Sequence, residues 1–295
     1  MKKLTGVITA MTTPFDARDR VDLDAVKSHC DFLIQRGVNC LYPCGTTGEM
    51  YLCSPEEREA IAKAVVDQTA GRVPVFIHVG AMRQDETIRL AKHACAIGAD
   101  GIGVVTPSYF TVDDRAMVEY YTNVCQAVPG DFPVYAYAIP QLARNELTCP
   151  TLERIIKACP NLIGIKYSYP DMSQLIKYMR LRDGTFSVVF GADHLFLSAL
   201  AAGADGTVSG CSSAIPEPFV EVYKHYLAGD WKAAEAAQLA ATNAVWLLKG
   251  GADMSVFKNV MTMRGVPGGG MRKPLLDLPD AEVARLKEAI APYIK

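Results

Sequence analysis

The chain has 295 residues, half of them hydrophobic and 21% charged, with a formal net charge of −2. That balance excludes partners recruited by bulk charge, nucleic acid and anionic membrane among them. No run approaches the ~18 apolar residues of a membrane span, and the length suits one large α/β domain or two ordinary ones.

The opening MKKLTGVITAMTTPFD is basic, then partly apolar, and carries Thr and Pro where a leader would need a long apolar core. It reads as a first strand. Strands are expected at 5–14, 39–45, 73–80, 101–107, 132–140, 162–168, 187–193 and 206–211. Between them lie segments whose apolar residues recur at threes and fours, the mark of amphipathic helices. Ser54 and Glu57 have the spacing of a capping box. Gly37, Gly71, Gly98, Gly203 and Gly229 stand where helix C-caps favour glycine. Eight apolar strands in strict alternation with eight helices mean a covered parallel sheet, and the even spacing predicts a closed (β/α)8 TIM barrel over 1–229. A doubly wound sheet is the alternative. From 230 to 295 only helical patterns remain, an appended C-terminal helical extension rather than a second domain.

Nine cysteines are present, none in a CxxC pair. Most lie inside apolar segments, which reads as free thiols in a reducing cytoplasm. A zinc site on Cys40 and Cys44 would lack the four closely paired ligands of structural zinc. The histidines show no metal spacing, and VPGGGMRKP (266–274) lacks a Walker ending and reads as a loop.

Barrel enzymes work at the C-terminal ends of their strands. Those ends here are CGTTGE (44–49), TPSYF (106–110), YAYAIP (135–140), IKYS (165–168), GADH (191–194) and VSGC (208–211). Alternation places Leu162, Gly164, Lys166 and Ser168 on one strand face, and Ile163, Ile165 and Tyr167 on the other. The glycine-bearing set suits the barrel interior, so Lys166 points inward; Tyr137 does the same from the neighbouring strand. Burial disfavours the charged form of an amine. A neutral lysine amine can add to a carbonyl as a Schiff-base nucleophile, with a phenol to move protons. An ion pair of Lys166 with a carboxylate such as Asp193 is the other reading. CGTTGE is either an ordinary turn or a loop whose amides and hydroxyls suit a carboxylate or carbonyl oxygen.

GTTGE after strand two, a Tyr three residues before a Pro after strand five, and GIK in strand six together resemble the N-acetylneuraminate lyase and dihydrodipicolinate synthase family. The likeness runs over nearly the whole chain, including GVITAMTTPF and the helical C-terminus. It implies an imine between Lys166 and pyruvate or another 2-oxo acid, with Tyr137 as general acid/base. It implies that Thr46 and Thr47 bind the carboxylate, that Thr47 joins the proton relay, and that Tyr109 completes it across a subunit interface of a homotetramer, a dimer of dimers. Tyr109 as a plain interface aromatic is the alternative. No metal and no organic cofactor is required, because the imine is the electron sink.

The synthase branch carries an arginine two residues after the Pro of this motif; here Leu142 stands there, and Arg144 comes two positions late. A leucine cannot grip a carboxylate. Gly191 and Asp193 resemble the lyase branch, where they hold a sugar-like chain; Ser168 and Val208 complete the expected substrate contacts, and His194 is either one of them or a cap or surface residue. The expectation is a carbon–carbon lyase that splits a 2-oxo-3-deoxy sugar acid into pyruvate and an aldehyde. Dihydrodipicolinate synthase, a dehydratase using the same imine, and a non-catalytic 2-oxo acid sensor are the alternatives.

Overall fold

Each apolar run becomes a strand shorter than its expected span, because pairing stops where the loops turn away. The computed structural model describes residues 1–293; positions 294–295, the end of the expected extension, lie outside the described residues. The strands are β1 (Gly6–Ala10), β2 (Cys40–Tyr42), β3 (Phe76–His78), β4 (Gly101–Val105), β5 (Val134–Ala138), β6 (Leu162–Tyr167), β7 (Ser187–Phe190) and β8 (Gly206–Ser209). The helices are α1 (Leu23–Gln35), α2 (Pro55–Thr69), α3 (Gln84–Ala96), α4 (Asp114–Gln126), α5 (Pro140–Ala143), α6 (Cys149–Ala158), α7 (Met172–Met179), α8 (Phe196–Ala202) and α9 (Glu217–Leu227). Beyond them come α10 (Trp231–Leu247), α11 (Met254–Met263) and α12 (Asp280–Ile290).

The strands pair in parallel in the order β2-β1-β8-β7-β6-β5-β4-β3. A parallel bridge between Leu41 and Val75 joins the two ends and closes the sheet. This is the (β/α)8 barrel with its C-terminal helical extension. Local chemistry sets the helix ends. Ser54 and Glu57 form the expected capping box at α2, and the glycines at 37, 71, 98, 203 and 229 all have positive φ.

Side chains sort into two cores. Ile8, Cys40, Tyr42, Phe76, Tyr135 and Val208 fill the barrel interior, while Val134, Ala136, Ala138, Ile165 and Tyr167 pack with the helix layer. Tyr135 and Tyr137 therefore point inward, as alternation requires. At the start of β6 the register shifts: Val134 pairs with Leu162, but Tyr135 pairs with Gly164. The extra residue, Ile163, turns into the interior, and Leu162 joins the helix layer. This reverses the expected faces of those two residues, because a bulge breaks the period of two. From Gly164 onward the alternation holds. A Cβ at Gly164 would overlap the Tyr135 ring and the Ser187 carbonyl. Gly164→Ala is therefore expected to cost about 1–3 kcal/mol and to lower Tm; an unchanged melting curve would refute this packing.

The extension is not a mere appendage. Lys258 of α11 reaches the GTTGE loop, where its Nζ lies 2.6 Å from Glu49 Oε1. The glycine-rich 266–274 segment straps across Phe15, with Gly270 bridging to it and the Arg272 guanidinium 4.0 Å from its ring centroid. Arg272 also donates to the Leu52 carbonyl and to both oxygens of Glu57. The strap thereby delivers Pro274 and Leu275 to the mouth of the barrel. No described helix is long and apolar enough to cross a membrane.

Candidate active site

The C-terminal mouth holds a cavity of about 710 Å³. Lys166 and Tyr137 stand side by side in its wall, because the β5–β6 register pairs them directly. Lys166 is 5% exposed. Its Nζ lies 3.9 Å from the centroid of the Tyr137 ring and 5.2 Å from that of Tyr42. No carboxylate pairs with it among the described residues. Asp193 is engaged elsewhere: its carboxylate accepts from Ser209 Oγ at 2.8 Å, Thr207 Oγ1 at 3.3 Å and the Cys211 amide at 3.4 Å. Burial pushes the Asp193 carboxyl above its ordinary value, against the pull of those donors.

The CGTTGE loop is strained at both ends. Cys44 and Glu49 have φ of 63° and 56°, left-handed values that non-glycine residues seldom take. Each corner is held by a buried cation. At the first, Arg58 donates to the carbonyls of Cys44, His78 and Gly80; at the second stands Lys258. Between them the backbone amides of Thr46 and Thr47 have no acceptor among the described residues, and both threonines line the cavity. Gly210 leaves the room that Thr47 Oγ1 occupies. Free amides on a tight loop form an anion-binding concavity. No hydrogen bond joins Thr47 to Tyr137 in the single chain.

Ser168, Gly191, Asp193 and Val208 all line the same cavity. A Cβ at Gly191 would overlap Ser168 Oγ, so the glycine exists to admit that hydroxyl. His194 is exposed and outside the cavity wall. Tyr109 is also outside it, 73% exposed, with φ of 72°. Its ring packs edge-on against Phe110 and is otherwise largely exposed among the described residues. Cys40 and Cys44 belong to different cores, one inside the barrel and one outside, so they do not build a zinc site.

Several residues escaped the sequence reading. His78 ends β3 inside the barrel, with its ring edge-on to Tyr137 at 5.8 Å. Burial, together with the Arg58 and Lys166 charges, pushes its imidazole well below the usual range and keeps it neutral. Strand parity in VPVFIHVG, which puts His78 on the face of Phe76, could have found it. Met254, Pro274 and Leu275, from the extension, line the cavity; nothing local in the sequence marks them.

Leu142 lines the cavity, and Arg144 does not. Lys166 is the sole Lys or Arg among the described lining residues.

A lysine amine buried without a carboxylate at the mouth of a (β/α)8 barrel, against a phenol ring and beside a loop of free amides, is suited to form an imine with a carbonyl compound, as a class I aldolase does. Residues 3–292 match the profile of the Dihydrodipicolinate synthetase family, and the chain belongs to that family. It is 36% identical to an uncharacterized DapA-like lyase of Halobacterium salinarum over 98% of this chain and 93% of that one. It is 34% identical to a probable 2-dehydro-3-deoxy-D-pentonate aldolase of Escherichia coli, covering 78% of this chain and 77% of the other. Among solved structures, dihydrodipicolinate synthase from Aquifex aeolicus superposes with a TM-score of 0.92 at 29% identity, covering 98% of each chain. Wild-type Ruminococcus gnavus sialic acid aldolase superposes with a TM-score of 0.93 at 27% identity, covering 99% of this chain and 97% of that one.

Proposed function

We propose that this enzyme cleaves a 2-oxo-3-deoxy sugar acid reversibly to pyruvate and an uncharged aldehyde, through an imine on Lys166. The observation that carries the reading is the buried Lys166 amine, free of any carboxylate, lying against Tyr137. The neutral amine adds to C2 of the 2-oxo acid, and the carbinolamine loses its hydroxyl as water. Tyr137 supplies and recovers the proton as general acid/base. Tyr137, left without its proton, takes the proton of the C4 hydroxyl as the C3–C4 bond breaks and the aldehyde leaves. The protonated imine accepts that bond's electron pair as an enamine, which is reprotonated at C3 and hydrolyses to pyruvate, freeing the Lys166 amine. The reaction itself calls on no metal or organic cofactor.

The free amides of the loop receive the substrate carboxylate at Thr46 and Thr47, and the Thr47 hydroxyl joins the proton relay. The strained, exposed Tyr109 completes that relay from a second subunit, in a homotetramer built as a dimer of dimers. Ser168 Oγ bonds a substrate hydroxyl, with Gly191 and Val208 shaping the space. Asp193 acts by holding the β8 hydroxyls, and His194 has no part. Nine free thiols support a reducing cytoplasm as the place of work. The barrel forms the catalytic unit, 1–229, and the extension, 230–295, supplies one wall.

Leu142 and the lack of a second cation among the described lining residues favour an uncharged aldehyde over aspartate semialdehyde. Pyruvate release from a panel of 2-oxo-3-deoxy sugar acids, run beside condensation with aspartate semialdehyde, tests this. The expected result is turnover of at least one sugar acid; efficient turnover of the semialdehyde alone would overturn it. Tyr137→Phe is expected to lower kcat by about 10²–10⁴-fold while pyruvate remains trappable on the enzyme by borohydride. Full activity in that variant would remove Tyr137 from the mechanism.

A further inference from the structure

Directly beneath Lys166 lies a layer of polar atoms that the proposed chemistry does not use. Tyr42 is 1% exposed, its hydroxyl is buried, and that hydroxyl has no hydrogen-bond partner among the described residues. His78 Nε2 is buried in the same way, with the two rings 6.2 Å apart. The Tyr42 hydroxyl fills space that a Cβ at Gly103 of β4, two strands away, would occupy, so the glycine there leaves room for it. A buried hydroxyl without a partner is costly, and a phenyl ring at this position would present the same aromatic face without that cost. What the position retains in either case is an aromatic face 5.2 Å from Lys166 Nζ, within cation–π range.

We propose that Tyr42 is a positioning residue for Lys166: its face and that of Tyr137 form a carboxylate-free aromatic cradle that holds the amine as a cation without locking it in that form. This rests on the imine mechanism above. A carboxylate partner would favour the ammonium strongly and suppress the nucleophile. A π face attracts the charge far more weakly. The protonated imine is also a cation, so the cradle serves the same nitrogen before and after water is lost.

The other charged groups leave this role to the rings. His78 from β3 stays neutral, held so by burial and by Arg58 behind it. Glu49 faces Lys258, and Asp193 after β7 is engaged with Thr207, Ser209 and Cys211. The strands β1, β4 and β8 present Ala10, Val105 and Val208. Burial pushes the Tyr42 phenol well above its ordinary value, so it does not trade protons in the working range.

The test is the pH dependence of pyruvate trapping by borohydride in single turnover, for wild type, Tyr42→Phe and Tyr42→Leu. Tyr42→Phe keeps the face and should reproduce the wild-type profile. Tyr42→Leu removes it: the acid limb should move down by roughly half to one pH unit, and the plateau rate should fall about tenfold. If the leucine variant does not fold, Tyr42→Met, which fills the space without a π face, is read instead and carries the same expectation. A leucine or methionine profile that superimposes on wild type overturns the proposal. So does a phenylalanine profile displaced as far as theirs, which would assign the effect to the hydroxyl. Failure of the wild type to trap pyruvate is a separate result and refutes the imine reading itself.

Discussion

Lys166→Ala is expected to abolish carbon–carbon cleavage, with kcat/KM falling on the order of 10⁴-fold or more, while the fold survives. The two halves of that expectation have one cause. Lys166 makes no hydrogen bond and no ion pair among the described residues, only contacts with the faces of Tyr137 and Tyr42. Removing it strands no partner charge, and burying an amine without a counter-ion is itself unfavourable. Tm should therefore stay level or rise as activity vanishes. Circular dichroism melts and a pyruvate-release assay on one preparation check both. Activity within tenfold of wild type would show that no covalent step passes through this residue. A collapsed fold would show that the amine is structural.

The second large effect concerns the loop corner at Glu49. Glu49 and Lys258 are each about 1% exposed in their side chains and sit 2.6 Å apart. Burial pushes the carboxyl up and the amine down, in spite of their mutual attraction. The pair is therefore expensive to bury and still more expensive to break. Lys258→Met, which leaves an unpaired carboxylate buried, is expected to cost about 3–5 kcal/mol. The double variant Glu49→Gln, Lys258→Met should recover a large part of that loss, because no charge is left stranded. Chemical denaturation of the two single variants and the double variant closes the cycle. Additive losses would mean that the two groups do not sense each other. The same cycle carries a kinetic reading: Glu49 closes the loop that presents the Thr46 and Thr47 amides, so KM for pyruvate should rise in the single variants.

The barrel was legible because its cause is periodic. Apolar runs of strand length, separated by threes-and-fours patterns and glycine caps, admit few architectures. Lys166 was legible because a lysine in a Leu-Ile-Gly-Ile strand breaks the pattern of everything around it. Parity then aimed it correctly, though for a partly wrong reason: the bulge at Ile163 puts Leu162 on the opposite face from Lys166. A bulge is a pairing event between two strands and leaves no mark in one of them.

What stayed hidden was non-local. Glu49 belonged to a motif, but its partner Lys258 reads in the sequence as one charged residue on an apolar helix of the extension. The 266–274 segment has no period, and its purpose appears only where Gly268 packs on the Lys258 backbone and Gly269 on Phe15. Tyr42 is one aromatic in a short apolar run of the sequence; only the fold brings Gly103 and the Lys166 amine beside it. The carboxylate of Asp193 was expected to face a substrate; its three internal donors, all from β8 and the turn beyond it, could not be inferred from GADH alone.

The most direct measurement is incubation of the wild-type enzyme with pyruvate and borohydride, followed by intact mass and peptide mapping. The expected result is one carboxyethyl group per chain, located on Lys166, and none on Lys166→Ala. No adduct on the wild type, or an adduct on any other lysine, would contradict the assignment of Lys166 as the imine-forming residue.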